Sequence, residues 1–295
     1  MDIACDICSG RSVSPLYALA SGAIVRCHGC GTVRREKLIA GDDAVLLYED
    51  DSYLDTPYFE ALKVGAPRNV EPYLVYERAL RVLDRKARKG RLLDVGASYG
   101  AFLELAKEHG WEAHGVELSK KARRYAASER GLTMHRTLSD ARFPNGHFSV
   151  VTLWNLIEHL AEPREFLNEV RRILSPDGVL LVFTINQKSL INRVGHLLHL
   201  VTLGTVQRPL TLLYDVHHNF FFDRDTLTNL LETVGFGGEV DVEYMDAEIE
   251  RWQNVPIPPI LAFGTKFLDA AARVLGGRYR MIVFASATPS RRRGS

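Results

Sequence analysis

Four cysteines stand within the first thirty residues, as the pairs Cys5-x-x-Cys8 and Cys27-x-x-Cys30. Two such pairs, separated by a loop of 18 residues, are typical of a tetrahedral zinc site in which each pair forms one turn around the metal. Four thiolates leave no coordination position for a reactive water, so the expected Zn²⁺ is structural. Two disulfides are the alternative, but they require an oxidising compartment, and the first ten residues lack the apolar core of a secretory signal.

A second group of residues is spaced to hold a nucleoside. Residues 91–95 predict a short buried strand, residues 96–99 a tight turn, and residues 101–109 a helix with an apolar face. Gly96 lets the backbone turn without a Cβ, and Gly100 is expected to let a ligand approach the first helical turn. The free N–H groups and the dipole of that turn favour an anionic group such as a carboxylate.

Glu117 is the third part of this site. It follows the second predicted strand, residues 112–116, about twenty residues past the glycine turn, where a carboxylate can accept hydrogen bonds from both ribose hydroxyls. A dinucleotide-binding turn would have glycine at position 98 and glycine or alanine at position 101, and the chain has Ser98 and Ala101. The spacing therefore argues against a dinucleotide.

The run Asp94-Val-Gly96-x-x-x-Gly100, followed by Glu117, resembles the cofactor motif of the class I S-adenosylmethionine-dependent methyltransferases. Ser98 replaces one glycine of the three-glycine version of that motif. The resemblance implies an α/β fold with a Rossmann-like, seven-stranded sheet and helices on both faces. It also implies that S-adenosylmethionine is bound by Asp94, Gly96, Ala97, Ser98, Gly100 and Glu117.

Residues that follow the third and fourth predicted strands extend this site. In the methyltransferase family the residues after the third strand clasp the adenine, which implies that function for Ser139 and Asp140. Asn155, Glu158 and His159 follow the fourth strand, and open α/β sheets bind ligands at the carboxyl ends of their strands. We expect Asn155 and Glu158 to contact the cofactor and His159 to contact the acceptor. The alternative is that the Glu-His pair only caps the next helix.

Three further segments, residues 155–160, 171–184 and 217–237, resemble the small-molecule branch of this family. The cysteine module resembles the N-terminal ribbons of some bacterial methyltransferases that act on sugars and natural products. The resemblance implies methyl transfer to a small-molecule acceptor, most simply a hydroxyl of a sugar, natural product or quinone-like compound. C-methylation of a sugar nucleotide is a further possibility.

Residues 186–222 form an insertion rich in leucine and valine, which is expected to stand over the ligand edge of the sheet as a lid. Methylation of a hydroxyl requires removal of its proton, and histidine suits that transfer near neutral pH. His218, His217 and His159 are the candidates for the base. The phenylalanines at 220–222 are expected either to form an aromatic wall that excludes water or to dock the insertion on the core.

A length of 295 residues allows one large domain and a small one. The expected organisation is a zinc-ribbon module at 1–34, a linker arm with an N-terminal helix at 35–90, a methyltransferase domain at 91–288 with insertions at 186–222 and 251–277, and a flexible tail at 289–295.

The net charge of +1 gives no general attraction to nucleic acid, which is not an expected partner. No window approaches the ~18 apolar residues of a spanning helix, so a cytoplasmic protein is expected. An RNA methyltransferase is one alternative, but Trp154-Asn-Leu-Ile stands where such enzymes often carry an Asn/Asp-Pro-Pro-Tyr-type stretch. A non-catalytic S-adenosylmethionine-binding protein is the other, and the intact Gly96, Gly100 and Glu117 argue against it.

Overall fold

The computed structural model of the chain describes residues 5–41, 54, 57–64, 72–238, 240–245 and 259–287. The strands, numbered in chain order, are β1 (Val13–Leu19), β2 (Gly22–Cys27), β3 (Val33–Arg35), β4 (Arg91–Val95), β5 (Glu112–Val116), β6 (Met134–His135), β7 (Phe148–Trp154), β8 (Leu174–Ile185), β9 (Phe220–Phe221), β10 (Val240–Met245) and β11 (Arg280–Ser286). The helices are α1 (Pro57–Val64), α2 (Tyr73–Lys86), α3 (Ala101–Glu108), α4 (Lys120–Arg130), α5 (Leu138–Ala141), α6 (Pro163–Ile173), α7 (Leu190–Val201), α8 (Arg208–Leu213), α9 (Arg224–Thr233) and α10 (Pro259–Leu275), and a 3₁₀ turn covers Ile157–His159.

The larger sheet contains seven strands in the order β10-β11-β8-β7-β4-β5-β6. The neighbours from β8 to β6 pair in parallel, whereas β11 runs antiparallel to both β8 and β10. Parallel neighbours need crossover connections, and here helices supply them. The predicted seven-stranded α/β fold is therefore confirmed.

Alternating side chains of the central strands supply two hydrophobic cores, one on each face of this sheet. In β4, Leu93 and Val95 join the core that α6 and α9 complete, whereas Leu92 joins the core that α2 and α3 complete. In β8, Leu180 belongs to the first core and Leu181 to the second. Strands buried on both faces need a nearly continuous apolar sequence, which is what makes β7 and residues 179–185 of β8 recognisable in the chain.

Local signals set the ends of α4. Ser119 is its N-cap, and its Oγ accepts a hydrogen bond from a backbone N–H of the first turn at 3.1 Å. Gly131 ends the helix in the left-handed conformation, with a φ of 58°, and the Leu132 N–H then bonds back to the helix. After this cap, β6 covers only Met134–His135.

The N-terminal strands β1, β2 and β3 pair antiparallel, and β9 completes their sheet at the β3 edge. Val33 lies opposite Phe221 and Arg34 opposite Phe220. This sheet and the insertion share a core made by Tyr17, Leu19, Ile24, Val33, Ile185, Ile191, Leu210, Leu213, Tyr214 and Phe221. The N-terminal module therefore packs directly against the insertion at 186–222.

The phenylalanines at 220–222 are core residues, each at most 1% exposed. Phe220 and Phe222 belong to the core on the α6 and α9 face, and Phe221 to the core of the N-terminal sheet. Successive residues of a strand point to opposite faces, so β9 divides its side chains between two cores. The expectation of an aromatic wall is thus corrected in favour of docking.

The first insertion contains α7 and α8, and the second is described from Pro259, where it forms α10. Residues 251–258 and the tail at 289–295 lie outside the described residues, as do 42–53, 55–56 and 65–71 of the predicted arm. Within the part of the chain that the structure describes, no helix has the length and apolar character needed to span a membrane.

Candidate active site

A cavity of about 1160 Å³ lies at the carboxyl ends of the parallel strands. The predicted site residues that line it are Asp94, Gly96, Ala97, Ser98, Glu117, Ser139, Asn155, Glu158, His159, His217 and His218. Residues of α7 and α8 line the same cavity, which places the insertion over the ligand edge. Pockets for a single small ligand span roughly 300–1,000 Å³, so this cavity has room for a cofactor and an acceptor.

Glu117, at the end of β5, has only 5% of its surface exposed. Its Oε2 accepts a hydrogen bond from the Ser98 N–H and its Oε1 accepts one from the Ser119 N–H, both at 2.7 Å. These bonds fix the carboxyl group between the glycine turn and α4, and each oxygen has a further lone pair for a ligand. Burial raises the pKa of Glu117, and the backbone N–H donors oppose that shift by stabilising the anion.

The two glycines of the turn have different functions. Gly96 has a φ of +78°, and a Cβ there would lie 3.4 Å from the Leu156 side chain, at the cavity wall. Gly100 has a φ of +81°, but a Cβ there would lie 2.6 Å from Leu132 and 2.9 Å from Met134. Gly100 is not among the residues that line the cavity. Glycine at position 100 therefore serves the turn and its packing against Leu132 and Met134, and its contact with a ligand stays a prediction.

Asp94 places a second buried carboxyl group at the floor of the cavity, with 2% of its surface exposed. Its Oδ1 accepts a hydrogen bond from the Thr152 hydroxyl at 2.7 Å. Burial raises the pKa of Asp94 to about 8, although the Thr152 bond opposes the shift. A cationic group of a ligand would favour the ionised form of this carboxyl group.

Of the two residues predicted to follow the third strand, Ser139 lines the cavity and Asp140 does not. The Asp140 N–H donates to the Thr137 Oγ1 at 3.0 Å, which caps the single turn of α5. Consecutive helical residues point about 100° apart, so Ser139 and Asp140 cannot present their side chains in one direction. Thr137 and Leu138 join Ser139 in the lining of the cavity, and contact of Asp140 with a ligand stays a prediction.

The segment after β7 brings a buried acid to the cavity. Asn155 has a left-handed backbone, with a φ of 48°, that leads the chain into the 3₁₀ turn. Glu158 is 1% exposed, and neither carboxyl oxygen makes a hydrogen bond of normal geometry within the described residues. Burial raises the pKa of Glu158 to about 7. A buried carboxyl group of this kind marks a place for a ligand or for a proton transfer.

The rings of His159 and His218 meet edge to face, with centroids 4.7 Å apart. These two residues and Glu158 form a cluster whose ligating atoms lie within 4.8 Å of one another. Burial lowers the pKa of His218 to about 3 and that of His159 to about 4, so both rings are neutral at pH 7. His218 Nδ1 is buried and makes no hydrogen bond to the described residues, whereas His159 Nδ1 pairs with the His217 carbonyl at 3.0 Å.

His217 has a different environment, with 42% of its side chain exposed. Its Nδ1 pairs with Asp215 Oδ1 at 2.8 Å, and its N–H donates to the same oxygen at 2.7 Å. The hydrogen bond to Asp215 raises the pKa of His217, which partial burial opposes. His217 is therefore more readily protonated at neutral pH than His159 or His218.

The aromatic side of the cavity has no clear signal in the sequence. Tyr76, Phe102 and Trp154 all line the cavity, and the Trp154 ring lies 4.7 Å from Tyr76 and 5.1 Å from Phe102 between centroids. Trp154 Nε1 is buried without a hydrogen-bond partner among the described residues. Its place as the last residue of β7 is the one feature that could have identified this donor.

The four cysteine sulfurs form a compact cluster in the N-terminal module. The sulfurs of Cys5 and Cys30 are 3.7 Å apart, those of Cys8 and Cys27 are 3.6 Å apart, and all four lie within 4.8 Å of one another. A disulfide would hold two sulfurs at about 2.0 Å, and all four cysteines are free. A tetrahedral site with Zn–S bonds of about 2.3 Å separates its sulfurs by about 3.8 Å. The observed spacing therefore fits four ligands around one zinc ion.

The strand order of the seven-stranded sheet, with helices on both faces, is that of an α/β methyltransferase fold. A sequence profile described as a methyltransferase domain matches residues 68–238, more than half of the chain. The chain belongs to this methyltransferase domain family.

The ubiquinone biosynthesis O-methyltransferase of Caulobacter sp. (strain K31) is 33% identical over 107 residues, which span 33% of this chain and 41% of the relative. The mitochondrial ubiquinone biosynthesis O-methyltransferase of Schizosaccharomyces pombe is 26% identical over 153 residues, which span 47% and 56%. The chain thus spans about half the length of these curated relatives. A SAM-dependent methyltransferase from Archaeoglobus fulgidus is similar in structure, with a TM-score of 0.52 at 20% identity, over 79% of this chain and 100% of that one. That likeness shows the fold.

Proposed function

We propose that the chain transfers a methyl group from S-adenosylmethionine to a hydroxyl oxygen of a small, partly apolar acceptor. The observation that carries the proposal is that one cavity joins Glu117 to the cluster of Glu158, His159 and His218. Oxygen as the acceptor atom is supported by the curated relatives, which are named O-methyltransferases.

Glu117 is the residue we assign to the ribose, because it lines the cavity and its two carboxyl oxygens are fixed by backbone donors. Asp94 is assigned to a cationic group of the cofactor, which would hold its buried carboxyl group in the ionised form. Ser139 and Leu138 are assigned to the adenine side. When bound, S-adenosylmethionine supplies an electrophilic methyl group on a sulfonium centre.

His218 is the residue we assign to the proton of the acceptor. Its ring is neutral at pH 7, lines the cavity and has a buried Nδ1 without a hydrogen-bond partner among the described residues. Glu158, in the same cluster, can stabilise the imidazolium once its own carboxyl group is ionised. His159 packs against the His218 ring and limits its orientations.

The remaining cavity wall indicates the acceptor's character. The insertion contributes the aliphatic residues Ile191, Val194, Leu198, Leu212 and Leu213. Such a wall excludes water and favours an apolar ring or chain, while the polar cluster orients one hydroxyl group. Phenols and hydroquinones combine these features more closely than free sugars do.

A panel of acceptors tests this proposal. Phenols, hydroquinones, sugars, sugar nucleotides and short RNAs would each be incubated with the protein and S-adenosylmethionine, and S-adenosylhomocysteine would be measured by mass spectrometry. Phenolic or hydroquinone acceptors should give product methylated on oxygen. Methylation of a sugar nucleotide on carbon, or of RNA, would contradict the proposal, and cofactor binding without any turnover would point to a binding protein.

Replacing Glu117 with alanine should weaken S-adenosylmethionine binding by ~1.5–3 kcal/mol, because hydrogen bonds to a charged group are lost. Isothermal calorimetry measures the change. Glu112→Ala is the matched control, since Glu112 begins the same strand and is exposed. Equal affinities for wild type and Glu117→Ala, or tighter binding of NADH than of S-adenosylmethionine, would remove the cofactor assignment.

Glu158→Gln should stabilise the protein at alkaline pH. The folded pKa of about 7 lies above the ordinary value of 4.5, so the folded state binds the proton more tightly than the unfolded state. Stability is therefore lost as pH rises from about 4.5 to about 7, by up to about 3 kcal/mol. The free energy of unfolding, measured with urea at pH 4, 6 and 8, should be higher for Glu158→Gln than for wild type, and the difference should grow with pH. A difference in unfolding free energy of the same size at every pH would contradict the raised pKa of Glu158.

We propose that Cys5, Cys8, Cys27 and Cys30 bind one structural Zn²⁺. The distances between their sulfurs support this proposal. A Cβ at Gly29 would lie 3.0 Å from the Cys8 sulfur, so the second cysteine turn approaches the cluster closely only without a side chain there. The Gly10 N–H donates to the Cys8 sulfur at 3.4 Å, a bond that stabilises a thiolate.

A further inference from the structure

The segment at 215–219, which carries His218, is held by the N-terminal part of the chain. Arg35, at the end of β3, is 5% exposed, and its Nε donates to the His218 carbonyl at 3.1 Å. Its Nη2 donates to the Asp215 carbonyl at 3.2 Å, and its Nη1 donates to the Ser21 carbonyl. The donors of a guanidinium lie in a fixed plane, so these bonds set the position of the segment relative to β3.

Asn219 extends this network to the segment that follows β7. It is fully buried, its N–H donates to the Glu158 carbonyl at 2.8 Å, and its Nδ2 donates to the His159 carbonyl at 2.8 Å. The same Nδ2 donates to the Ile39 carbonyl at 2.9 Å, and Oδ1 accepts from the Ile39 N–H at 2.7 Å. The Asn219 carbonyl accepts from the Arg35 N–H at 2.9 Å. One side chain and its backbone thus join three separate segments.

The geometry points to Arg35 as a positioning residue for the acceptor site, with residues 33–39 acting as part of the transfer machinery. This inference rests on the proposed function, in which His218 accepts the proton. His218 belongs to the insertion, whereas Glu158 and His159 follow β7, so the cluster depends on how these two backbones are held together. Misplacing reacting groups by about 1 Å can lower a rate ~100-fold.

Packing alone does not explain a guanidinium at this position. Burial lowers the pKa of Arg35, which shows that the charge is disfavoured there, and the nearby Asp215 offsets only part of that effect. An apolar side chain would fill the space without losing hydration. What the guanidinium adds is a set of directed hydrogen bonds to the carbonyls at 215 and 218.

Two substitutions at Arg35 test the inference, in the full-length protein. Arg35→Met should lower kcat about 10- to 100-fold per S-adenosylmethionine-binding site, with the cofactor Kd unchanged within about twofold. Arg35→Lys keeps the charge and a single donor nitrogen, so its kcat should lie between those of wild type and Arg35→Met. Arg26→Met is the control, because Arg26 is an exposed arginine on the neighbouring strand β2.

Histidine NMR provides a readout that needs no acceptor. The His218 ring signals, assigned with His218→Gln, should shift in Arg35→Met and partly return in Arg35→Lys, whereas the His114 signals should stay fixed. If wild type methylates no acceptor, the proposed function fails, and the NMR measurement still tests the inference about Arg35. The inference about Arg35 is overturned if the His218 signals are unchanged in folded Arg35→Met. It is also overturned if Arg35→Met has a lower melting temperature but the wild-type kcat per binding site. If Arg35→Met does not fold, Arg35→Lys and Arg35→Gln decide by the same measurements.

Discussion

Replacing His218 with alanine should lower kcat by ~10²–10⁴, because the acceptor hydroxyl then loses the group that takes its proton. The affinity for S-adenosylmethionine should stay nearly the same, since Glu117 and the glycine turn are untouched. Steady-state kinetics with an acceptor from the panel and calorimetry of the cofactor measure the two quantities. Because burial lowers the pKa of His218 to about 3, its protonation should not limit the wild-type rate at neutral pH.

His114→Ala is the matched control for that experiment. His114 lies on β5 and is paired with Glu112 at 3.1 Å, outside the residues that line the cavity. Its removal should leave kcat near the wild-type value. A His218→Ala protein that melts several degrees earlier but keeps its turnover would assign His218 to packing. The search for the base would then move to His159.

Purified protein should contain one zinc per chain, and Cys27→Ser should lose the metal and unfold the N-terminal module. Binding of structural zinc contributes roughly 10–16 kcal/mol in zinc-finger peptides, and a segment this short has little core of its own. Because β3 pairs with β9, the loss should also reach the segment that carries His218. Elemental analysis measures the zinc, and hydrogen exchange of residues 5–41 and 215–222 measures the unfolding.

His28→Ala is the control for the zinc experiment. His28 stands between Cys27 and Cys30 and is exposed, so its removal should leave both the metal content and the exchange rates unchanged. Wild-type protein without zinc, with disulfides detected by mass spectrometry, would refute the metal proposal. If Cys27→Ser loses zinc without faster exchange at 215–222, the metal proposal stands, but the metal does not stabilise the insertion.

The parts of the site that the sequence predicts are those whose geometry is set over a short stretch of chain. Glu117 is identifiable because a strand, a turn, a helix and a second strand follow one another with little freedom in spacing. The cysteine cluster is identifiable because each pair occupies one tight turn. In both cases the residue type and the local spacing together nearly fix the position of the side chain.

The remaining features depend on contacts between distant segments, which leave no period or spacing in the sequence. In the sequence Arg35 is one basic residue among several, and nothing near it indicates its hydrogen-bond partner, because His218 lies 183 residues away. The phenylalanines at 220–222 fit either a cavity wall or a core, and only the pairing of β9 decides between them. The packing of Gly100 against Leu132 likewise depends on where the next helix and strand come to lie.

The pairing of β3 with β9 also constrains how the chain folds as it is made. Arg35 and His218 are 183 residues apart, so at ~5–20 residues per second the outer edge of β3 waits roughly 10 to 40 s for its partner strand to be synthesised. An unpaired strand edge is a template for association with other chains. Slowing translation before residue 220 should therefore increase aggregation of the nascent protein. Metal bound early to the cysteines would order the N-terminal module but leave this edge unpaired until β9 is made.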